Sequence, residues 1–462
     1  MNDPGRKPLV LEGPLGVGKS WLLKNLASRQ QQFHESVVLD FAENLEYLEK
    51  LFPQEVDPRT TPLKVVEGLR WATGGKLLPG HTLLIFDEPQ LCPRALLTMT
   101  YFSPRMGFHV AAACSRPAAS FDLPGGKAPA VDVPATMKKA DILYSARRTG
   151  RAAFMEVHPL SFSEYLRSLG DGRLADAMAA QGLFGPMPGE IFGPLSEKFR
   201  EYLCTGGMPA AVAAGRHARA LARTDPSVSI ADTLYDANYC QIVDWIATSW
   251  QGFGEDDGKL FMDVWRAVLT QLEQRDRVFD PEDHADYCCG SAEAVRAALN
   301  WLSTLGTIRL VPRCSTIRPG CLPFRVYLAD TGPLNVIHKL SPSDVESAPG
   351  LCGLRGGVFA ENLVLQALER ALDSTTRTAV KYWSAFGYYE VQFLIPVGDA
   401  AIPAAIEKGD GSGAKSLGRY LKRHMGARNI PGILFTDGNL AMEGRVLHLP
   451  LFMAEHAVRL AE

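Results

Sequence analysis

Early in the chain, apolar runs stop abruptly at polar chemistry. Pro8-Leu9-Val10-Leu11 leads into Gly13-Pro14-Leu15-Gly16-Val17-Gly18-Lys19-Ser20, and the helix-compatible run Trp21-Leu22-Leu23-Lys24-Asn25-Leu26 follows at once. Strand, glycine-rich loop and helix in this order are what a Walker A phosphate-binding loop requires. The glycines let backbone N–H groups turn inward around phosphates, Lys19 reaches the β and γ phosphates, and the Ser20 hydroxyl ligates Mg²⁺. The plain alternative is a glycine-rich turn that matches by accident. Leu83-Leu84-Ile85-Phe86 is a second unbroken apolar run, ending in Asp87-Glu88. A buried parallel strand reads this way because both its faces are covered, and an open α/β sheet binds ligands at the carboxyl ends of such strands. As a Walker B strand it would supply Asp87 to hold Mg²⁺ through water and Glu88 to orient and deprotonate an attacking water. Alone, it would equally be a buried strand before an acidic turn. The two motifs together predict a nucleotide-binding protein.

Across 1–160 strand-like runs alternate with helical patterns, which predicts an α/β fold with a parallel P-loop NTPase sheet. Val37-Val38-Leu39-Asp40 reads as a second strand, and Phe108-His109-Val110-Ala111-Ala112-Ala113-Cys114-Ser115 as another. Ser115, at the end of that strand, is either a γ-phosphate sensor or an ordinary strand-end turn. Phe121 to Lys138 is rich in Pro, Gly and Ala and predicts a surface excursion without a core. Arg147, Arg148 and Arg151 precede Met155-Glu156-Val157-His158-Pro159-Leu160-Ser161-Phe162. Arg151 is the candidate for stabilising transition-state charge, from its own chain or a neighbour, against the alternative of a solvated basic turn.

Between Ser163 and Trp250 the periodicity is helical. In Leu195–Leu203 the apolar positions 195, 199, 202 and 203 share one face, which predicts packing against a neighbouring helix. Ala292–Leu302 reads as a helix ending near Gly306, with Ile308-Arg309-Leu310-Val311 and Phe324-Arg325-Val326-Tyr327-Leu328 as the strands of a hairpin. That is how a winged helix reads, and such an element binds either DNA or a protein face.

The chain's 462 residues are too many for one ordinary core, so two to four domains are expected. Its 48 Lys and Arg against 51 Asp and Glu give a net charge of −3, so no global field draws it to nucleic acid, although a local basic face stays open. The first strand sits where a signal peptide would, and no apolar run is long enough to span a membrane; a soluble, cytoplasmic protein is expected. The nine cysteines lack framework spacing and read as reduced thiols. His284, Cys288, Cys289, Cys314 and Cys321 could form a metal site, but no CxxC pair supports one.

These residues resemble the prokaryotic P-loop ATPases of the extended AAA type that carry a C-terminal domain of unknown function. The resemblance spans nearly the whole chain. It rests on the phosphate loop, Asp87-Glu88-Pro89-Gln90, Gly150-Arg151, Pro159-Leu160-Ser161-Phe162-Ser163-Glu164-Tyr165, Thr205-Gly206-Gly207-Met208-Pro209, Tyr327-Leu328-Ala329-Asp330-Thr331-Gly332 and Glu361-Asn362. It implies ATP as the nucleotide and an ATPase domain at 1–160. It further implies a helical region at 161–250, a winged-helix-like domain at 251–345 and a small α/β domain resembling PD-(D/E)XK nucleases at 346–462. A nuclease of that type needs clustered carboxylates and a lysine. By the resemblance those positions are Gln392, Ala405 and Glu407, which predicts a nuclease-like fold that does not cut; a one-position shift would recruit Glu407-Lys408 instead. Relatives also carry a helical lead-in where this chain has Met1 to Lys7, and Pro89 replaces a more usual aliphatic residue. The expected function is Mg²⁺-dependent ATP hydrolysis whose nucleotide state rearranges the C-terminal domains, with a nucleotide-dependent homo-oligomer and a DNA or protein partner at the winged helix. The alternative is a nucleotide-stabilised adaptor with little turnover.

Overall fold

The computed structural model describes residues 7–29, 33–52, 60–75, 77–115, 150–183, 185–249, 255–274, 278–288, 290–314, 324–372, 380–385, 388–397, 400–424 and 431–460. The 121–138 excursion, Arg147, Arg148, Cys289 and Cys321 lie outside the described residues. The chain divides into two compact units, Met1–Val157 with Gln251–Glu255 and Thr304–Gly306, and His158–Trp250 with Asp256–Ser303 and Thr307–Glu462.

The first unit runs β1 (Leu9–Glu12), α1 (Lys19–Arg29), β2 (Glu35–Asp40), α2 (Leu45–Leu51), α3 (Thr61–Thr73), β3 (Thr82–Asp87), α4 (Pro93–Met106), β4 (His109–Cys114) and β5 (Ala153–Glu156). The strands form one sheet in the order β2-β3-β4-β1-β5, every pairing parallel. All six residues of β3 are buried, which is why its sequence shows no alternation. On one face Leu84, Phe86 and Ala112 pack with Val65, Leu96 and Phe102 from α3 and α4. On the other, Leu83, Ile85, Ala111 and Ala113 pack with Leu23 of α1. This is the parallel α/β sheet of a P-loop NTPase. Because β4 lies between β1 and β3, the ends of all three strands meet at one edge.

The second unit begins with helices α5 (Phe162–Leu169), α6 (Gly172–Ala180), α7 (Gly189–Thr205), α8 (Pro209–Leu221) and α9 (Ile230–Ser249). Ser161 and Glu164 form a reciprocal capping box that starts α5. In α7 the apolar face at 195, 199, 202 and 203 is buried, as its periodicity predicts. Then come α10 (Glu255–Glu273), β6 (Val278–Phe279), α11 (Pro281–His284), α12 (Ala292–Thr304), β7 (Ile308–Pro312) and β8 (Phe324–Leu328), with strand order β6-β8-β7, both pairings antiparallel. After α13 (Thr331–His338), α14 (Pro342–Ser347) and α15 (Val358–Ala371) come β9 (Lys381–Ala385), β10 (Tyr389–Val397), β11 (Ala400–Ile406), α16 (Ser412–His424), β12 (Gly432–Thr436), β13 (Ala441–Glu443) and β14 (Val446–Pro450). These strands make a six-stranded mixed sheet ordered β13-β14-β12-β11-β10-β9. Trp383, Val391, Ala405 and Leu434 on one face of it pack against Leu417, Tyr420 and Leu421 of α16.

Several sequence motifs meet in one joint of this unit. The buried Asp330 carboxylate accepts from Gly207 N–H at 2.8 Å, from Gly332 N–H at 3.0 Å and from Gln366 Nε2 at 3.1 Å. Leu160 N–H donates to the Gly207 carbonyl at 2.7 Å, and Asn335 Nδ2 to the carbonyls of Leu203 and Cys204 at 3.1 and 2.7 Å. Gly206, with φ +77°, and Gly207 are required here, since a Cβ on the first would strike Asp330 and on the second the Leu160 carbonyl.

Candidate functional site

The site forms where β1, β3 and β4 end. The chain leaves β1 through the loop from Gly13 to Gly18, where Gly16 and Gly18 take φ +84° and +93°. A Cβ at Gly13 would collide with the carbonyl of Val157, so only glycine lets the loop begin so close to the chain beyond β5. Lys19 opens α1 and is 4% exposed. Its ammonium donates to the carbonyls of Gly13 and Pro14 at 3.0 and 2.9 Å and to Ser115 Oγ at 3.2 Å. Burial lowers the Lys19 pKa, opposed by the nearby carboxylates of Glu88 and Asp87.

Ser20 Oγ donates to Asp87 Oδ1 at 2.6 Å, so the two predicted Mg²⁺ ligands are already side by side. A pair of hard oxygen donors next to a helix N-terminus and an inward-turned loop suits Mg²⁺ and phosphate. Glu88 has a left-handed backbone, φ 54° and ψ 43°, which costs a non-glycine residue about 1–2 kcal/mol. Its N–H donates to the Ala113 carbonyl at 2.9 Å. The turn aims its carboxylate at Ser115, whose N–H donates to it at 3.3 Å and whose hydroxyl donates to Oε1. Gln90, in the 3-10 turn Pro89–Leu91, donates from Nε2 to Oε2 of the same carboxylate. A continuous hydrogen-bonded chain therefore runs from Lys19 through Ser115 to Glu88 and Gln90.

Lys19, Ser20, Asp87, Glu88 and Ser115 thus converge, as do the backbone positions of the loop. Arg151 does not join them. Leu9 pairs with Ala153 and Glu12 with Glu156, so the loop lies beyond the carboxyl end of β5 while Arg151 precedes its amino end. Six residues of extended chain, about 20 Å, separate the Arg151 backbone from Val157. Three residues at the site were not singled out from the sequence. Asp40 ends β2 directly beside Asp87, and Lys24 lies 3.9 Å from Asp40 and 3.4 Å from Asp87. Both left a signal: Asp40 is a carboxylate closing an apolar run, and Lys24 follows Ser20 by four residues on a helix. Gln90 left none, because its contact depends on the turn after Glu88.

A second charged cluster lies in the other unit. Glu361 of α15, fully buried, accepts from Tyr327 Oη at 3.0 Å and lies 2.9 Å from Lys408 Nζ and 3.4 Å from the Arg325 guanidinium. Arg325 also pairs with Glu390, which lies 3.6 Å from Lys408 and accepts from Gln392 Nε2 at 2.9 Å. Burial disfavours the Arg325 charge, but Tyr327, Glu361 and Glu390 outweigh it and hold its pKa above the ordinary arginine value.

Strand β11 places Ala405 and Glu407 away from this cluster. Ala405 packs against Leu417 and Leu421 beneath α16. With side chains alternating along a strand, Ala404 and Ile406 take the opposite face, and Lys408 follows two residues later toward Glu361. Glu407 instead caps the next turn, accepting from the N–H groups of Gly409, Gly411 and Ala414 at 3.2, 2.8 and 3.2 Å. Lys408, and not Glu407, thus lies in the charged cluster beside Glu361, with Ile406 two residues before it. His284 stacks on Phe279 at 4.0 Å, and among the described residues no group of three His, Cys, Asp or Glu could hold a metal ion. Among the described residues no helix is long and apolar enough to cross a membrane.

No family model and no curated protein matches the chain. Among solved structures it is similar to the Thermotoga maritima RuvB Holliday junction branch migration motor, at 15% identity over 66% of this chain and 82% of that one, with a TM-score of 0.31. It is also similar to the Pyrococcus furiosus Hef helicase domain, at 13% identity over 59% of this chain and 72% of that one, with a TM-score of 0.18. Likenesses this distant carry no statement about activity. The chain's own loop and parallel sheet make it a protein of P-loop NTPase fold.

Proposed function

We propose that the protein binds and hydrolyses ATP with Mg²⁺, and that its nucleotide state rearranges the downstream domains. The observation that carries this reading is the meeting of Lys19, Ser115 and Glu88 beside the Ser20–Asp87 pair. Lys19 and the loop N–H groups would hold the β and γ phosphates, and Ser20 and Asp87 would hold the metal. Bound Mg²⁺ supplies positive charge where negative charge accumulates on the phosphate oxygens. Glu88 would take a proton from water, and Ser115, already bonded to both Lys19 and Glu88, would report whether Lys19 has turned to phosphate. ATP is named from the family resemblance, and competition by GTP tests that choice.

The grip of Ser115 and Gln90 on the Glu88 carboxylate favours a second reading, an adaptor that holds nucleotide with little turnover. The order α10-β6-α11-α12-β7-β8 supports a winged helix at 251–345, the natural face for a DNA or protein partner. The mixed sheet between α15 and α16 supports a nuclease-like domain at 346–462, following a helical region at 161–250. With Ile406 on the facing strand, and Glu361 and Glu390 paired to Lys408 and Arg325, this domain would not cut.

The deciding experiment is Mg²⁺-dependent hydrolysis by the purified chain. Glu88→Gln is expected to lower turnover by about 100-fold while keeping nucleotide affinity, and Lys19→Ala to lose both. Turnover indifferent to Glu88→Gln would favour the adaptor. The same preparation is expected to leave DNA and RNA intact, and cutting lost on Glu361→Gln would overturn that part.

A further inference from the structure

Helix α16 spans 13 residues, Ser412–His424, and places Lys415, Arg419, Lys422 and Arg423 on its exposed side without one acidic residue. In a chain of net charge −3 this is a concentrated local exception. The cations of the last turn also complement the carbonyl end of the helix, but Lys415 and Arg419 lie too far from it for that to be their role. At about 1.5 Å of rise per residue, Lys415, Arg419 and Lys422 step along the helix at about 4.5–6 Å. Ala414 and Gly418, exposed beside them, leave a low floor over which an extended backbone can pass.

Aromatic surface borders these charges. Arg419 lies 4.3 Å from the centroid of the Tyr389 ring. Tyr388 is 77% exposed and meets Tyr389 in a T-shaped pair at 5.7 Å, so most of its ring surface is open to a planar ligand. Lys381 is exposed on the strand face that carries Trp383, whose ring meets Tyr420 and His424 of α16 at 5.2 and 5.7 Å.

We propose that α16 and the adjoining Tyr388 form a binding surface for single-stranded nucleic acid, DNA or RNA, through its phosphates and one stacked base. Regular cations beside an exposed aromatic ring are how strands are held without sequence preference. A duplex keeps its bases stacked and offers Tyr388 nothing. An anionic membrane is disfavoured because the apolar residues of α16, Leu417, Tyr420 and Leu421, are buried against the sheet and cannot insert. Helix α12 of the proposed winged helix is a poorer candidate, since it carries a single cation, Arg296.

The test is fluorescence anisotropy of the full chain with labelled oligo-dT and oligo-U. Neutralising three to four phosphates predicts that affinity falls by about 20- to 50-fold between roughly 50 and 200 mM salt. Replacing Lys415, Arg419, Lys422 and Arg423 by Gln should weaken binding at least tenfold and flatten the salt dependence. Tyr388→Ala should weaken it about tenfold with the salt dependence unchanged. Unaltered melting temperatures confirm that these surface variants fold. Absence of binding, full binding by the four-fold Gln variant, equal affinity for duplex, or stronger binding to phosphatidylserine vesicles would each overturn the proposal.

Discussion

Ser115 shares a single hydroxyl between an ammonium and a carboxylate, and Gln90 completes the grip on Glu88 from the other side. A hydrogen bond to a charged group contributes about 1.5–3 kcal/mol. If that bond sets the pose of Glu88 in the reaction, Gln90→Ala should lower turnover by about tenfold or more and leave KM within twofold. A raised KM at constant kcat would instead put Gln90 in nucleotide binding. The loop, Lys19, Asp87 and Glu88 were legible in the sequence because each motif is contiguous and its chemistry requires those residue types. Gln90, Lys24 and Asp40 were not read, because they become neighbours of Asp87 and Glu88 only through the strand order and a left-handed turn. Arg151 shows the converse: a plausible residue in the sequence that the parallel register of β5 sends to the far edge of the sheet.

At the scale of elements, strands buried on both faces hide their register. β3 was recognisable as a strand, but β11, with Ile402, Ala404, Ala405 and Ile406 all buried, had no polar residue to tell its two faces apart. Helix α7 was easier, since its apolar residues fall on one side. The Thr205–Pro209 and Tyr327–Gly332 motifs, quoted from the sequence as signs of kinship, turn out to bond to each other through Asp330. Asp330→Ala would leave the Gly207 and Gly332 N–H groups and the Gln366 amide without their acceptor in a buried joint. A loss of about 3 kcal/mol is expected, read as a lowered midpoint in thermal unfolding, with Asp330→Asn recovering part of it. An unchanged midpoint would mean the joint does not hold this unit together.

At the scale of the whole molecule, the distance of Arg151 from its own phosphate loop leaves a neighbouring subunit as the place where it could meet a nucleotide. ATP is therefore expected to raise the mass seen by light scattering, and Arg151→Ala to lower turnover by about tenfold or more without preventing assembly. Constant mass together with normal hydrolysis by the variant would remove Arg151 from the mechanism. The way β8 meets α15 bears on how this protein can be handled. The Asn362 side chain satisfies both the N–H and the carbonyl of Leu328, at 2.8 and 3.0 Å, while Arg325 and Tyr327 serve Glu361. Residues 251–345 and 346–462, proposed above as separate domains, thus share buried polar partners across their boundary. A fragment begun at residue 346 would leave the buried Glu361 with Lys408 as its partner but without Arg325 and Tyr327, and would orphan the Asn362 amide in its first long helix, so the two regions are expected to fold together and should be expressed together.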